Sequence, residues 1–402
     1  MTARWKPCEL IRLLENGDEF YVAAFAAIEA AQGEIFVETF ILQEDKVGKR
    51  LAEILTDAAK RGVHVELTID GYGSPDLSAE FTSSMVNAGV HVNFYDRRPR
   101  ALGFRTNVFH RLHRKLLVVD GKRAFVGGIN FSEDHLIEFG PQAKQDYAVE
   151  VEGPIVDDIL ATARELVARE KKKWWQPRLT TMRFRCIPLK SDIARSSELL
   201  AMFTARDNHD NRTSIEKCYR AAIQSARHSI IIANAYFFPG YRLLKDIKDA
   251  AERGVDVRLI IQGKPDLPIT TLAARRLYPF LLSSGVKIFE YCERSFHGKV
   301  AVVDGHWSTV GSSNLDPFSL ALNLEANLFI ENEEFSGNFE ARLKDLVTNH
   351  CSQVEKAKLT AHPFIRMIPA FVVFHILRHF PSWAALIPSH EPEITVVSPD
   401  RT

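Results

Sequence analysis

Apolar and polar positions along this chain follow a helical period, switch to strict alternation, and do so in the same order twice. Ala58 to Gly71 (AAKRGVHVELTIDG) ends a helical stretch at Arg-Gly and continues as an alternating Val/Leu/Ile run, and Ala250 to Gly263 (AAERGVDVRLIIQG) repeats it. The alternating run predicts a strand, and the glycine supplies the positive φ that closes the helix before it. Ile28 to Phe40 and Ile223 to Ala235 each predict a helix end feeding an apolar strand. Ala88-Gly89-Val90-His91-Val92 and Ser284-Gly285-Val286-Lys287-Ile288 repeat the helix-to-strand step once more. The fourth and sharpest pair is HRKLLVVDG at His113 to Gly121 against HGKVAVVDG at His297 to Gly305. An internal repeat of this length predicts two α/β halves of one fold.

The spacing between copies changes at one point. The third pair is offset by 285 − 89 = 196 residues and the fourth by 297 − 113 = 184, so the first half carries 12 extra residues just before its histidine. They fall within Asp96 to Leu112, where Arg97, Arg98, Arg100, Arg105 and Arg111 alternate with Leu102, Phe104, Val108 and Phe109. A solvated loop is one reading; an anion-recognising lip over the site is the other, and the one favoured. The halves are joined by Lys171-Lys172-Lys173-Trp174-Trp175, which suits linker packing and a membrane interface equally.

Composition narrows the class. A chain of 402 residues suits two domains with a linker or tail. Lys plus Arg and Asp plus Glu both number 51, so no global field draws the protein onto nucleic acid. Cys8, Cys186, Cys218, Cys292 and Cys351 are odd in number and far apart, without metal-ligand spacing, which predicts reduced thiols, no zinc site and a cytoplasmic setting. The first residues lack the apolar stretch of a signal peptide, and no run approaches the roughly 20 apolar residues that span a bilayer.

The candidate chemistry lies in the fourth repeat. His113, Lys115, Asp120 and Asn130 recur as His297, Lys299, Asp304 and Asn314, the asparagines ending Gly127-Gly128-Ile129-Asn130 and Gly311-Ser312-Ser313-Asn314. Residues two apart in a strand share a face, so each His and Lys can line one cavity. Phosphoryl-type transfer needs a nucleophile, a proton donor for the leaving oxygen, and positive charge around the non-bridging oxygens. Two histidines and two lysines supply these parts without a metal, and Asn130 and Asn314 add neutral donors. A nucleophilic histidine also needs an acceptor on its other nitrogen. Asp146 and Glu325, placed 16 and 11 residues after the asparagines, are the expected carboxylates, serving either their own half or the other. Asp120 and Asp304 each follow Val-Val and precede Gly, a context that turn chemistry explains more readily than catalysis.

At these motifs the chain resembles the phospholipase D superfamily, whose signature is a pair of HKD motifs, each followed by a Gly-rich turn ending in Asn. In finer detail it is similar to the bacterial cardiolipin synthases, at Asp70 to Ser78, Gly140 to Leu160, Asn234 to Arg242, Val310 to Leu328 and Arg378 to His390. The resemblance implies an α/β fold of two repeated phospholipase D-like α/β/α halves packed around one active site. Residues 1–165 would form the first half, 166–195 a linker, 196–345 the second half and 346–402 a tail, amphipathic around Ala370 to Phe380. It further implies transfer of a phosphatidyl group from a donor phospholipid to His113 and then to phosphatidylglycerol, with His297 as general acid and base. Lys115, Lys299, Asp120 and Asp304 complete the implied catalytic set. Phosphatidylglycerol or phosphatidylethanolamine is the implied donor. No cofactor, metal or nucleic acid is expected, and the setting would be the cytoplasmic face of a bacterial inner membrane, held peripherally.

Overall fold

A computed structural model describes residues 4–97, 110–170, 198–207, 211–263, 268–316, 319, 322–355 and 394–398. Each repeat folds into one mixed sheet. In the first half, Glu34–Thr39, His64–Asp70 and His91–Tyr95 run parallel, and Leu116–Val119, Arg123–Gly127, Tyr147–Glu152 and Leu10–Glu15 extend the sheet antiparallel. The second half repeats this with Ser229–Asn234, Asp256–Gln262 and Lys287–Tyr291 in parallel, followed by Lys299–Val303, Trp307–Gly311, Glu325–Glu331 and Leu200–Arg206.

The local sequence accounts for these elements. Helix Lys46–Lys60 starts where the Asp45 carboxylate accepts the Val47 and Gly48 amides at 2.9 and 3.0 Å. It stops at Arg61, with Gly62 at φ +90°, and helix Tyr241–Glu252 stops the same way at Arg253 with Gly254 at +90°. Alternate residues of the parallel strands enter different cores. Ile35 and Val37 pack outward under the first half's outer helices, while Phe36 packs inward. Burial on both faces explains the continuous apolar runs Ile35–Val37 and Ile230–Ala233 in the central strands, whereas His64–Asp70 keeps its alternation.

The inward faces of the two sheets share one core. Helix Val156–Glu170 and helix Glu333–His350 contribute Ile159, Ala163, Phe339 and Leu343 to a single cluster that also holds Leu116, Val149, Val300 and Leu328. The chain crosses between halves at its edges. Lys6–Pro7 pairs with Leu200–Arg206 of the second sheet, and Ile394–Val396 pairs with His91–Tyr95 of the first.

These contacts amend the expected boundaries. The last helix of the first half continues through 165 to Glu170, with Leu166 buried against Tyr95, Leu112 and Leu324. The second half extends beyond 345 because Cys351–Gln353 adds an edge strand beside Lys287–Tyr291. The end of the tail also holds a sheet edge at 394–396. Its amphipathic segment Ala370 to Phe380, and Trp174 and Trp175, lie outside the described residues. No helix among the described residues is long and apolar enough to cross a membrane.

Candidate active site

Two short parallel pairings between the halves build the site. Leu112 bridges to Leu324, with the His113 amide donating to the Leu324 carbonyl at 3.0 Å and the Leu324 amide to the Arg111 carbonyl at 2.8 Å. Symmetrically, Ser295–Phe296 pairs with Lys144–Gln145, and the His297 amide donates to the Gln145 carbonyl at 2.8 Å. Each histidine is therefore strapped to the residue just before the other half's carboxylate, and that carboxylate becomes its partner.

The result is a crossed pair. His113 Nδ1 lies 3.0 Å from Glu325, and His297 Nδ1 lies 2.6 Å from Asp146. A carboxylate in this position accepts, so each Nδ1 carries a proton, and Nε2 is the nitrogen left to act as nucleophile when the ring is neutral or as acid when it is doubly protonated. The spacing of Asp146 and Glu325 after the asparagines left their allegiance open; the chain pairing makes it an exchange. The carboxylates are themselves fixed. Glu325 accepts from the Ser312 hydroxyl at 2.5 Å, and Asp146 from the Tyr147 amide at 2.8 Å. Gly128 occupies the place of Ser312 in the first motif, where a Cβ would stand 2.3 Å from Asp146 Oδ1. The shorter Asp146 carboxylate takes the space that the missing side chain leaves.

The two lysines lie under the histidines. Lys115 Nζ donates to the His113 carbonyl at 2.8 Å, and Lys299 Nζ donates to the His297 carbonyl and lies 3.1 Å from His297 Nδ1. Both ammonium groups are buried. Burial drives Lys115 well below its ordinary pKa and Lys299 down to about 8, although Glu325 and Asp146 act in the opposite direction. Burial likewise lowers His113, with Glu325 opposing, and lowers His297 well below its usual value, reinforced by Lys299, Lys144 and Lys115. Burial raises Asp146, which Lys299 partly offsets. Asn130 uses its side-chain oxygen to accept the Ile41 amide at 3.1 Å, leaving buried Nδ2 without a partner among the described residues. Asn314 is also buried, and its side-chain oxygen has no partner among the described residues.

His135 joins this group, although a lone histidine carried no sequence signal. It is fully buried, its ring centroid 5.6 Å from that of His297. Its Nε2 accepts the Asn130 amide at 3.3 Å, which puts its proton on Nδ1, 4.0 Å from Asp146 Oδ2. Phe40 was also missed; its ring packs edge-on to His113 at 4.9 Å, with Lys115 Nζ 5.3 Å from its centroid. His135, Asp146 and His297 bring possible ligand atoms within 4.8 Å of one another. The Lys299 ammonium beside His297 works against a cation there.

Two groups of expected site residues stand elsewhere. Asp120 accepts the amides of Gln32, Gly33 and Glu34 at 3.0, 2.7 and 3.0 Å, and Asp304 those of Arg227, His228 and Ser229 at 2.8, 2.7 and 2.8 Å. Both have positive φ, 54° and 50°, at the turn closing the strand. Five residue steps along the strand, roughly 16 Å, separate Asp120 from Lys115. Their contacts are those of turn clamps, and their inclusion with the catalytic groups is corrected on that ground. Arg111 is corrected as well. It is buried, with Nη2 2.8 Å from Asp96 and Nη1 3.5 Å from Asp70, and Asp70 also accepts the Leu112 amide at 2.7 Å. It braces the segment that presents His113 and is no part of an exposed lip. Arg97 is exposed and stacks over Phe94, 4.4 Å from its centroid, while Arg98, Arg100 and Arg105 lie outside the described residues.

A duplicated α/β fold that closes one cleft with a His-Lys pair from each half defines a phospholipase D-like enzyme. The family model described as "Cardiolipin synthase, PLD-like domain" matches residues 25–168 and 219–347, and the chain belongs to that family. It is 48% identical to "Cardiolipin synthase B" of Salmonella typhi over 401 residues, covering 99% of this chain and 95% of that one. The protein of the same name from Escherichia coli (strain K12) is 46% identical with the same coverage. "Cardiolipin synthase" of Geobacillus thermodenitrificans is 32% identical over 355 residues, or 88% of this chain and 68% of the relative. In three dimensions the chain is similar to phosphatidylserine synthase of Haemophilus influenzae Rd KW20, with a TM-score of 0.68, 14% identity and 96% of each chain covered, a likeness of fold alone.

Proposed function

We propose that this enzyme is a cardiolipin synthase that works by phosphatidyl transfer through a histidine adduct. The observation that carries the mechanism is the crossed pairing of His113 with Glu325 and of His297 with Asp146. Full-length similarity to proteins named cardiolipin synthase B supports the substrate class.

In the first step His113 Nε2 attacks the phosphorus of a donor phosphatidylglycerol. The bond to the head-group oxygen breaks, and the departing glycerol takes the Nε2 proton of His297, which enters this step as the imidazolium paired with Asp146 and leaves it as the neutral base. The phosphatidyl group is then held on His113, its charge balanced by Glu325. In the second step His297 removes the proton from a head-group hydroxyl of another phosphatidylglycerol, and that oxygen attacks phosphorus. The bond to His113 breaks, giving cardiolipin and restoring both histidines. Lys115, Lys299 and the Asn130 amide serve the non-bridging oxygens, whose charge they meet in a site largely closed to water. Burial lowers His297 in the free enzyme, and the phosphate anion arriving beside it raises its proton affinity when the acid is needed. The lipid substrates place the enzyme at a membrane surface, where the exposed Arg97 is available to the head groups.

Vesicles containing head-group-labelled phosphatidylglycerol, with and without phosphatidylethanolamine, test the reading. The expected result is cardiolipin with release of labelled glycerol. Phosphatidic acid as the sole product identifies a hydrolase instead, and cardiolipin formed only with phosphatidylethanolamine reassigns the donor.

A further inference from the structure

We propose that His64, Glu66 and His91 form a binding site for a divalent transition metal such as Zn²⁺ or Co²⁺, apart from the reaction centre. The three residues lie on neighbouring parallel strands of the first sheet. His64 and Glu66 are two apart on His64–Asp70 and share a face, and Glu66 stands in register with His91 on His91–Tyr95. One potential ligand atom from each lies within 4.8 Å of the others.

The parts of the site differ in mobility in a way that suits a metal. Glu66 is buried, at 5% exposure, and the Asn93 amide donates to its Oε2 at 2.8 Å. That leaves Oε1 directed at His64 Nε2, 3.3 Å away. A tetrahedral zinc with ligand bonds of about 2.0 to 2.1 Å separates its ligand atoms by about 3.3 Å, so this edge is already formed. The two imidazole rings are exposed and tilted at 46°, with centroids 5.1 Å apart. A modest swing of the His91 ring completes a His-His-Glu set, leaving one position to water. Two imidazoles and a carboxylate suit Zn²⁺, Co²⁺ or Ni²⁺ better than Mg²⁺ or Ca²⁺, which prefer oxygen. The Asn93 amide supplies the outer hydrogen bond that orients a ligating carboxylate.

The position gives the metal a structural role. At the far end of the first strand Asp70, and just past the end of the second Asp96, hold Arg111, the brace ahead of His113. His91–Tyr95 is also the strand on which Ile394–Val396 docks. Four residue steps along the strand, roughly 13 Å, separate Glu66 from Asp70. A metal here ties the strand pair at the end away from the catalytic cleft, and is expected to stabilise the first half without entering the reaction.

The test uses the full-length enzyme, stripped with a chelator and dialysed, and titrated with Co²⁺ and Zn²⁺ at pH 7.5. Expected are one tight equivalent with a micromolar or lower Kd, a visible Co²⁺ absorption band, and a melting temperature that rises with Zn²⁺. The double variant His64→Gln/His91→Gln and the single variant Glu66→Gln should each weaken binding at least tenfold and remove the rise, while keeping the wild-type circular dichroism and basal transferase activity. A second double variant, His135→Gln/His297→Gln, should keep the Co²⁺ band. The proposal is overturned if wild type takes up no metal, if the His64/His91 variant binds as wild type does, or if the band follows His135 and His297.

Discussion

Replacing Asp146 with Asn separates the crossed arrangement from one in which each half serves its own histidine. The 2.6 Å contact to His297 Nδ1 is a charge-assisted hydrogen bond in a buried site. An Asn can turn its NH₂ toward Nδ1, which moves the imidazole proton to Nε2 and withdraws the base needed for the second step. In serine proteases the equivalent Asp-to-Asn change costs about 10⁴ in kcat through this tautomer error. With Lys299 still 3.1 Å from the ring, a loss of about 10² to 10⁴ is expected here, or about 3 to 5.5 kcal/mol of barrier. The assay is rapid-quench kinetics on a phosphatidyl p-nitrophenol, whose leaving group needs no proton. Although Asp146 belongs to the first half, Asp146→Asn should behave as His297→Ala does, giving a stoichiometric burst of nitrophenol and then stalling. Glu325→Gln should behave as His113→Ala does and lose the burst. If Asp146→Asn abolishes the burst and Glu325→Gln spares it, the assignment of carboxylates to histidines is wrong.

Other outcomes follow from the same geometry. Asp120→Ala strands three backbone amides of a distant turn, so melting should reveal a loss of about 1 to 3 kcal/mol while kcat per folded molecule stays within about threefold. Partial burial works to raise the Asp120 pKa, but those amides hold it below its usual value. Its stabilisation should therefore be present at neutral pH and fade as pH falls through that lowered value, which urea titrations across pH 2 to 7 can check. Lys299 is cationic below about pH 8 and neutral above it, so kcat/KM should fall on the alkaline side of about pH 8; a flat profile to pH 10 counts against its phosphate role. Gly128→Ala drives a methyl into the Asp146 carboxylate and should cost about 1 to 3 kcal/mol of stability together with most of the activity, whereas Ser312→Ala, which removes one hydrogen bond to Glu325, should be milder on both measures.

Much of this architecture was legible in the sequence because its signals are local. Arg-Gly at 61–62 and 253–254 marks a helix end, and the runs His64–Asp70 and Asp256–Gln262 mark strands, whatever surrounds them. The His-x-Lys pairs were legible because two polar residues recur in register inside otherwise apolar segments. The exchange of Asp146 and Glu325 was not, since it depends on Leu112 meeting Leu324 and Ser295 meeting Lys144 across the two halves. Arg111 misled for a related reason. Next to a basic, aromatic stretch it reads as surface charge, and only Asp70 and Asp96, 41 and 15 residues earlier, show it to be a buried brace. His135 lacks a repeated counterpart, as the aligned residue five places after Asn314 is Ser319, so repetition could not single it out.

In the proposed mechanism two histidines from opposite halves divide one reaction, His113 carrying the phosphatidyl group and His297 moving the protons. Acid-quenched enzyme from the phosphatidyl p-nitrophenol reaction, proteolysed and sequenced by mass spectrometry, tests it directly. His297→Ala should accumulate a phosphatidyl adduct on the peptide containing His113, wild type should show it transiently, and His113→Ala should show none. An adduct on His297, or cardiolipin formation at the wild-type rate by folded His113→Ala, would contradict it.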